Sequence, residues 1–154
     1  MAHSLIYPFT AFNFSVEIYP ASKGDPLVSA AFSECDGLEM TMDVKTIRAG
    51  GSNDRAIRVA GVINYANLTL KRGMTDNFDL WKWFQRTITN PSLRADAQVV
   101  MLGGNAGQEQ ARFYLHRCLP IKLKAPALNA KDGGIAIEEF QMAYEKFEMA
   151  GLGA

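Results

Sequence analysis

With 154 residues, close to half of them apolar, the chain has the length of one domain and the composition of an ordinary globular protein. Acidic and basic side chains balance at 16 each, which speaks against the basic face of a DNA or RNA reader and leaves little long-range repulsion between copies. The two cysteines, Cys35 and Cys118, lie far apart and outside any CxxC pair; they read first as buried free thiols, with a disulfide as the alternative, and the chain does not look like a stapled secreted scaffold. Met1 to Thr10 lack a basic stretch followed by an apolar run, and no run approaches the ~20 residues of a membrane span, so the expectation is a chain folded in the cytoplasm.

From Phe12 to Tyr19, apolar Phe12, Phe14, Val16 and Ile18 alternate with Asn13, Ser15 and Glu17, the period-2 pattern of a half-buried strand. After a Pro/Ser/Gly turn, Leu27 to Cys35 reads as a second strand. Asp36-Gly37 then signals a turn, and Leu38 to Lys45 alternates as a third strand with one wet face. Thr46 to Gly61 is rich in Gly, Asn, Asp and Arg and reads as a long extended loop, a docking arm with isolated Ile47, Ile57 and Val59. Ile63 to Arg72 returns to strand character. Thr75 or Asp76 is then expected to cap a helix running to about Thr89, with Phe78, Trp81, Phe84 or Gln85, and Ile88 at helical spacing and Leu80 and Trp83 widening the apolar face.

Strands resume at Ala97 to Leu102 and at Ala111 to Leu123, where Pro120 marks a bulge or an edge. One long last strand is expected from Ile135 to Met149. Its apolar phase switches from odd to even positions at Glu138-Glu139, which predicts a β-bulge there. The fold class is thus mainly β: an antiparallel barrel or sandwich of about seven strands, with one packed helix and one long loop, in a single domain over residues 1–154.

Chemistry-bearing motifs are sparse. His3 and His116 are the only histidines, and HExxH, paired CxxC and EF-hand patterns are absent. No GxSxG elbow marks a nucleophile, and the glycine pairs 50–51, 103–104 and 133–134 read as turns rather than phosphate cradles. No catalytic residue, metal or cofactor is assigned.

Five segments in order carry a resemblance: FNFSVEI at Phe12 to Ile18, FSECDGLEM at Phe32 to Met40, the glycine-rich stretch around Gly50 to Asn53, LTLKRGMTDNFDLWKW at Leu68 to Trp83, and FQMAYEKFEMAG at Phe140 to Gly151. Together they resemble the tail-tube protein family of contractile phages and extracellular contractile injection systems, over essentially the whole chain. Cys35-Asp36 departs from the family's turn, where a small residue is usual.

The resemblance implies a structural subunit that closes into hexameric rings, which stack into the inner tube of a phage-tail-like particle. The tube conducts cargo, an effector or DNA, and is driven out by contraction of a surrounding sheath. Partners implied are other copies of the chain, the sheath protein, and baseplate, spike and tube-capping proteins, with no membrane insertion by this subunit. Four strands per copy at ~4.8 Å spacing and ~40° tilt would enclose a pore of roughly 40 Å. Under this reading Ile47, Arg48, Asp54, Arg55, Ile57, Arg58 and Val59 contact the adjacent ring. Glu39, Thr41, Asp43, Lys45, Gln141 and Glu145 face the lumen, and Lys82 and Arg86 point from the helix toward the sheath. Assembly in the bacterial cytoplasm is expected, as part of a particle that acts after release. The competing reading is a monomeric β-barrel that binds a ligand or peptide.

Overall fold

The computed structural model describes residues 13–20, 28–30, 32–48, 50–51, 55–103, 108–131 and 133–151. Among them the chain forms ten strands and one helix: β1 (Phe14–Pro20), β2 (Val28–Ala30), β3 (Glu34–Asp36), β4 (Met40–Ile47), β5 (Ile57–Tyr65), β6 (Leu68–Gly73), α1 (Asp79–Thr89), β7 (Ala95–Leu102), β8 (Glu109–Lys124), β9 (Ile137–Ala143) and β10 (Lys146–Met149). The main sheet is antiparallel and runs β2-β1-β7-β8-β9-β6-β3, with β10 paired to the first half of β8. Among the described residues β4 and β5 pair only with each other.

β8 divides the sheet into two facing halves. Its residues up to Cys118 pair with β7, and those from Leu119 onward pair with β9. The change of direction falls at Arg117, whose φ of 54° is rare for a residue with a Cβ. Its backbone N–H is taken up by Asp96 Oδ1 at 3.2 Å. Beyond it the register shifts between Pro120 and Lys122, so the expected irregularity at Pro120 is present. Val16, Ile18, Ala97, Val99 and Leu115 from one half meet Leu68, Leu70, Phe140 and Met142 from the other in one core. Helix α1 lays Leu80, Trp83 and Thr87 onto that core, with the Trp83 ring 5.5 Å from Phe140. The architecture is the expected antiparallel β fold with a packed helix.

Local boundaries differ from the expectation in five main places. The second strand, expected from Leu27 to Cys35, is two short strands at opposite ends of the sheet path, β2 beside β1 and β3 beside β6. The stretch expected as a loop from Thr46 to Gly61 is largely strand: the hairpin closes by cross-strand pairing as far as Ile47↔Ile57. Glycine and arginine content masked that pairing. The strand expected from Ile63 to Arg72 breaks at Ala66-Asn67, where Ala66 N–H bonds to Glu39 O and Asn67 O comes against Gly37.

The fourth difference concerns the last strand, which breaks at Tyr144 and Glu145 and not at Glu138-Glu139. β9 pairs with β6 without a shift from Leu68↔Met142 to Gly73↔Ile137, so no bulge lies there on that side. Glu138, Phe140, Met142 and Tyr144 are all buried, and Ile137 is exposed. The apparent phase switch is a glutamate placed inward.

The helix begins at Asp79, later than Thr75 or Asp76. Thr75 Oγ1 accepts the Asn77 N–H, and Asn77 Oδ1 accepts the Asp79 N–H, each at 3.2 Å, so both side chains serve turns before the helix rather than its cap. Its buried stripe runs Leu80–Trp83–Thr87, which leaves Phe78 and Ile88 in solvent.

Candidate functional site

The β4–β5 hairpin stands apart from the core. Cross-strand partners point the same way, which gives it two distinct faces. One carries Met40 and Tyr65, Met42 and Ile63, Val44 and Ala60, then Thr46 and Arg58. The other carries Thr41 and Asn64, then Asp43, then Lys45 and Val59, then Ile47 and Ile57. Between Met42 and Val44 the register shifts because Gly61 and Val62 together oppose Asp43. A Cβ at Gly61 would lie 2.6 Å from the Asp43 carbonyl oxygen, so only glycine allows this approach.

Both faces are wet. Every residue of β4 is exposed, and Met40, Met42, Val44, Ile47, Ile57, Val59, Val62 and Ile63 are between 40% and 64% exposed. β4 was expected to bury one side; in the subunit it buries neither. At ~3.3 Å per residue the eight residues of β4 reach about 26 Å from the hairpin's base. A lone two-stranded hairpin is marginal in water, so a surface of this kind marks an interface.

The base of the hairpin is pinned by Gly37 and Tyr144. Gly37 adopts φ +112°, and a Cβ there would sit 2.0 Å from Asn67 O. Its own carbonyl accepts the Tyr144 hydroxyl at 2.7 Å, and the Tyr144 ring lies 5.7 Å from Tyr65. Burial, its largest influence, pushes the Tyr144 phenol above its ordinary value. The turn signal at Asp36-Gly37 is visible in the sequence; Tyr144, a hundred residues away, is not.

A second cluster fastens α1 to the sheet. Arg72 Nε bonds Glu138 Oε1, and Arg72 Nη2 bonds Asp79 Oδ1 at 2.6 Å and the Asn77 carbonyl at 3.3 Å. Trp81 Nε1 donates to Glu138 Oε2 at 3.0 Å. Desolvation works against the guanidinium, but bonds to Asp79 and Glu138 outweigh it and hold Arg72 above its ordinary value. Glu138 is 1% and Arg72 5% exposed. The cluster is a buried ion network that ties α1 to β6 and β9. Among the described residues no three His, Cys, Asp or Glu side chains stand together as a metal site, and no described helix is long and apolar enough to cross a membrane.

The residues singled out from the sequence fall in separate places. Ile47, Arg48, Arg55, Ile57, Arg58 and Val59 gather around the hairpin's far end, all exposed, while Asp54 lies outside the described residues. Thr41, Asp43 and Lys45 share one face of β4, and Glu39 sits at its base. Gln141 belongs to a different surface, the outward row Asp36–Thr69–Gln141–Lys122 across β3, β6, β9 and β8. Beside it runs Glu34–Lys71–Glu139–Lys124, in which Lys71 pairs with Glu34 at 3.5 Å and Lys122 of the first row reaches Glu139 at 4.0 Å. Glu145 lies at the β9–β10 corner, bonded to Arg117 at 2.7 Å. Lys82 and Arg86 are exposed on α1, outside its buried stripe.

The family model described as T4-like virus tail tube protein gp19 matches residues 10–148. No curated protein matches the chain. Among solved structures, a chain of the anti-feeding prophage (AFP) baseplate is 23% identical, with 97% of this chain and 100% of that chain covered and a TM-score of 0.84. A chain of the sheath-tube complex of PVC, an extracellular contractile injection system, is 22% identical, with coverages of 93% and 91% and a TM-score of 0.79. One of the PVC sheath/tube terminator is 19% identical, with coverages of 96% and 100% and a TM-score of 0.82.

Proposed function

The chain belongs to the T4-like virus tail tube protein family, and we propose that it is a non-enzymatic subunit, one tail-tube domain, that closes into hexameric rings stacking into the inner tube of a contractile injection particle. The observation that carries this reading is the β4–β5 hairpin, an unsupported two-stranded arm with large apolar side chains exposed on both faces. A monomeric ligand-binding barrel has no use for such an arm, whereas a ring or stack buries it. The main sheet path also ends at β2 and β3, edges that copies arranged in a ring can cover.

In this assembly the far end of the hairpin, with Ile47, Arg48, Arg55, Ile57, Arg58 and Val59, meets a neighbouring ring, and Asp54 belongs to the same contact. Thr41, Asp43, Lys45 and Glu39 line the lumen with Gln141 and Glu145, and cargo moves along that polar wall. Lys82 and Arg86 on α1 face the sheath. The similar chains in a baseplate, a sheath-tube complex and a tube terminator support partners of those three kinds. Rings form in the bacterial cytoplasm, and the finished particle acts outside the producing cell.

Negative-stain electron microscopy of the purified protein, with native mass spectrometry of the same sample, tests the reading. Sixfold rings or stacked tubes are expected. A strict monomer that also fails to associate with its sheath and baseplate proteins would refute it.

A further inference from the structure

Six of the seven methionines lie among the described residues, and their surroundings differ. Met142 is in the core, and Met74 and Met101 are half-buried. Met40, Met42 and Met149 are the exposed ones, at 57%, 48% and 39%. Met40 and Met42 are alternate residues of β4, so both thioethers project from the same face of the hairpin. Their neighbours on that face are Tyr65, Ile63 and Ala60 across the pair and Val44 along the strand. No charged side chain interrupts this row before Arg58. The opposite face carries Thr41, Asn64, Asp43 and Lys45. Where that polar face lines a lumen, the methionine face is turned into the tube wall and loses its water.

A thioether reacts with a peroxide without first ionising, so its exposure governs its rate. The sulfur donates an electron pair to one peroxide oxygen and the O–O bond breaks. The sulfur is thereby oxidised to S=O, and hydrogen peroxide is reduced to water. The thiols of Cys35 and Cys118 compete poorly, because they react as thiolates and burial pushes both up to about 12. On a wet strand the new S=O group is hydrated and leaves the fold alone. On a face that assembly dries, it carries a strong acceptor in among Val44, Ala60 and Ile63, whose side chains have no donor to offer. A sulfoxide reductase reverses the step, passing electrons from a thiol to the sulfur and releasing the oxygen as water.

We propose that Met40 and Met42 form a reversible oxidation site for peroxides, open in the free subunit and closed in the tube, which decides whether a subunit can assemble. The proposal rests on the tube reading above and adds a control to it. Oxidation before assembly withdraws the subunit, whereas oxidant met after assembly finds both sulfurs covered. Met149, opposite Phe113 on β10, is also open to peroxide but lies outside the hairpin, which makes it an internal control.

Brief treatment of the free subunit with hydrogen peroxide, followed by peptide mass spectrometry, should place oxygen on Met40 and Met42 ahead of Met74, Met101 and Met142. The thermal melt should barely move. The concentration needed for tubes, read by sedimentation and electron microscopy, should rise roughly tenfold or more. Methionine sulfoxide reductase with dithiothreitol should return it to the native value. Met40→Leu with Met42→Leu keeps the face apolar and should assemble equally well with and without peroxide, while Met149→Leu stays sensitive. Preformed tubes should keep both sulfurs unoxidised at the same dose. Native-like tubes from subunits carrying both sulfoxides would overturn the proposal and leave the tube reading in place. A Met40→Leu, Met42→Leu chain that peroxide blocks as it blocks the native one would do the same. Failure of the untreated native chain to assemble, alone or with sheath and baseplate proteins, would overturn both.

Discussion

Replacing Glu138 by Ala removes one partner from a buried charge network and leaves the other behind. Glu138 and Arg72 are 1% and 5% exposed, so the guanidinium that remains has little access to water. Breaking such a pair typically costs about 3–5 kcal/mol. Asp79 keeps its 2.6 Å bond to Arg72 and offsets part of that, whereas Trp81 Nε1 loses its acceptor and returns about 1 kcal/mol to the cost. We therefore expect a loss of about 3–4 kcal/mol, a large share of the ~5–15 kcal/mol available to a domain. Urea unfolding below the assembly concentration, followed by the fluorescence of Trp81 and Trp83 on α1, reads it directly. With m near 2 kcal/mol/M, the midpoint should fall by about 1.5–2 M. The double variant Arg72→Met with Glu138→Leu removes both charges and should return to within about 1–2 kcal/mol of the native protein. A single variant costing under about 1 kcal/mol, or a double variant as unstable as the sum of its parts, would refute the account of this cluster.

Gly37→Ala places a Cβ against the Asn67 carbonyl at positive φ, and should destabilise by about 2 kcal/mol or more, measured by thermal melting. Tyr144→Phe keeps the ring packing but deletes the hydroxyl that Gly37 O accepts, and should cost about 1 kcal/mol in the same assay. Burial pushes the thiols of Cys35 and Cys118 up to about 12 from an ordinary 9.0. Because the folded state holds these protons more tightly than the unfolded chain, their contribution is fully present below pH 9 and is lost as pH rises toward 12. The urea midpoint should thus decline across that window, and Cys118→Ala should flatten the decline. An unchanged slope would show that this thiol does not titrate on unfolding.

Much of the fold was legible in the chain. Val16 and Ile18, Leu68 and Leu70, and Phe140 and Met142 lie in the core, as their alternation requires. Leu80 and Trp83 likewise mark the buried side of the helix. Pro120 announced the irregularity in β8. The apolar members of the hairpin, Ile47, Ile57 and Val59, were visible as isolated hydrophobes in a polar stretch, and so was their surfeit of arginine.

What the sequence by itself determined was thus the local kind of most segments, strand, helix or turn, because period-2 alternation, helical spacing and glycine placement act over a few residues. The stretch from Thr46 to Gly61, which reads as a loop and folds largely as strand, is the exception. The tertiary structure decided everything that needs two distant segments to meet. It showed that Glu138 belongs inside, where Arg72, Asp79 and Trp81 satisfy its charge, although a glutamate after Ile137 reads as the solvent side of a bulged strand. It also showed that Met40, Met42 and Val44, patterned like a core face, have no core beneath them in the subunit. Alternation records which side of a strand is apolar, but what covers that side is set by whichever surface arrives there, within the chain or on another copy.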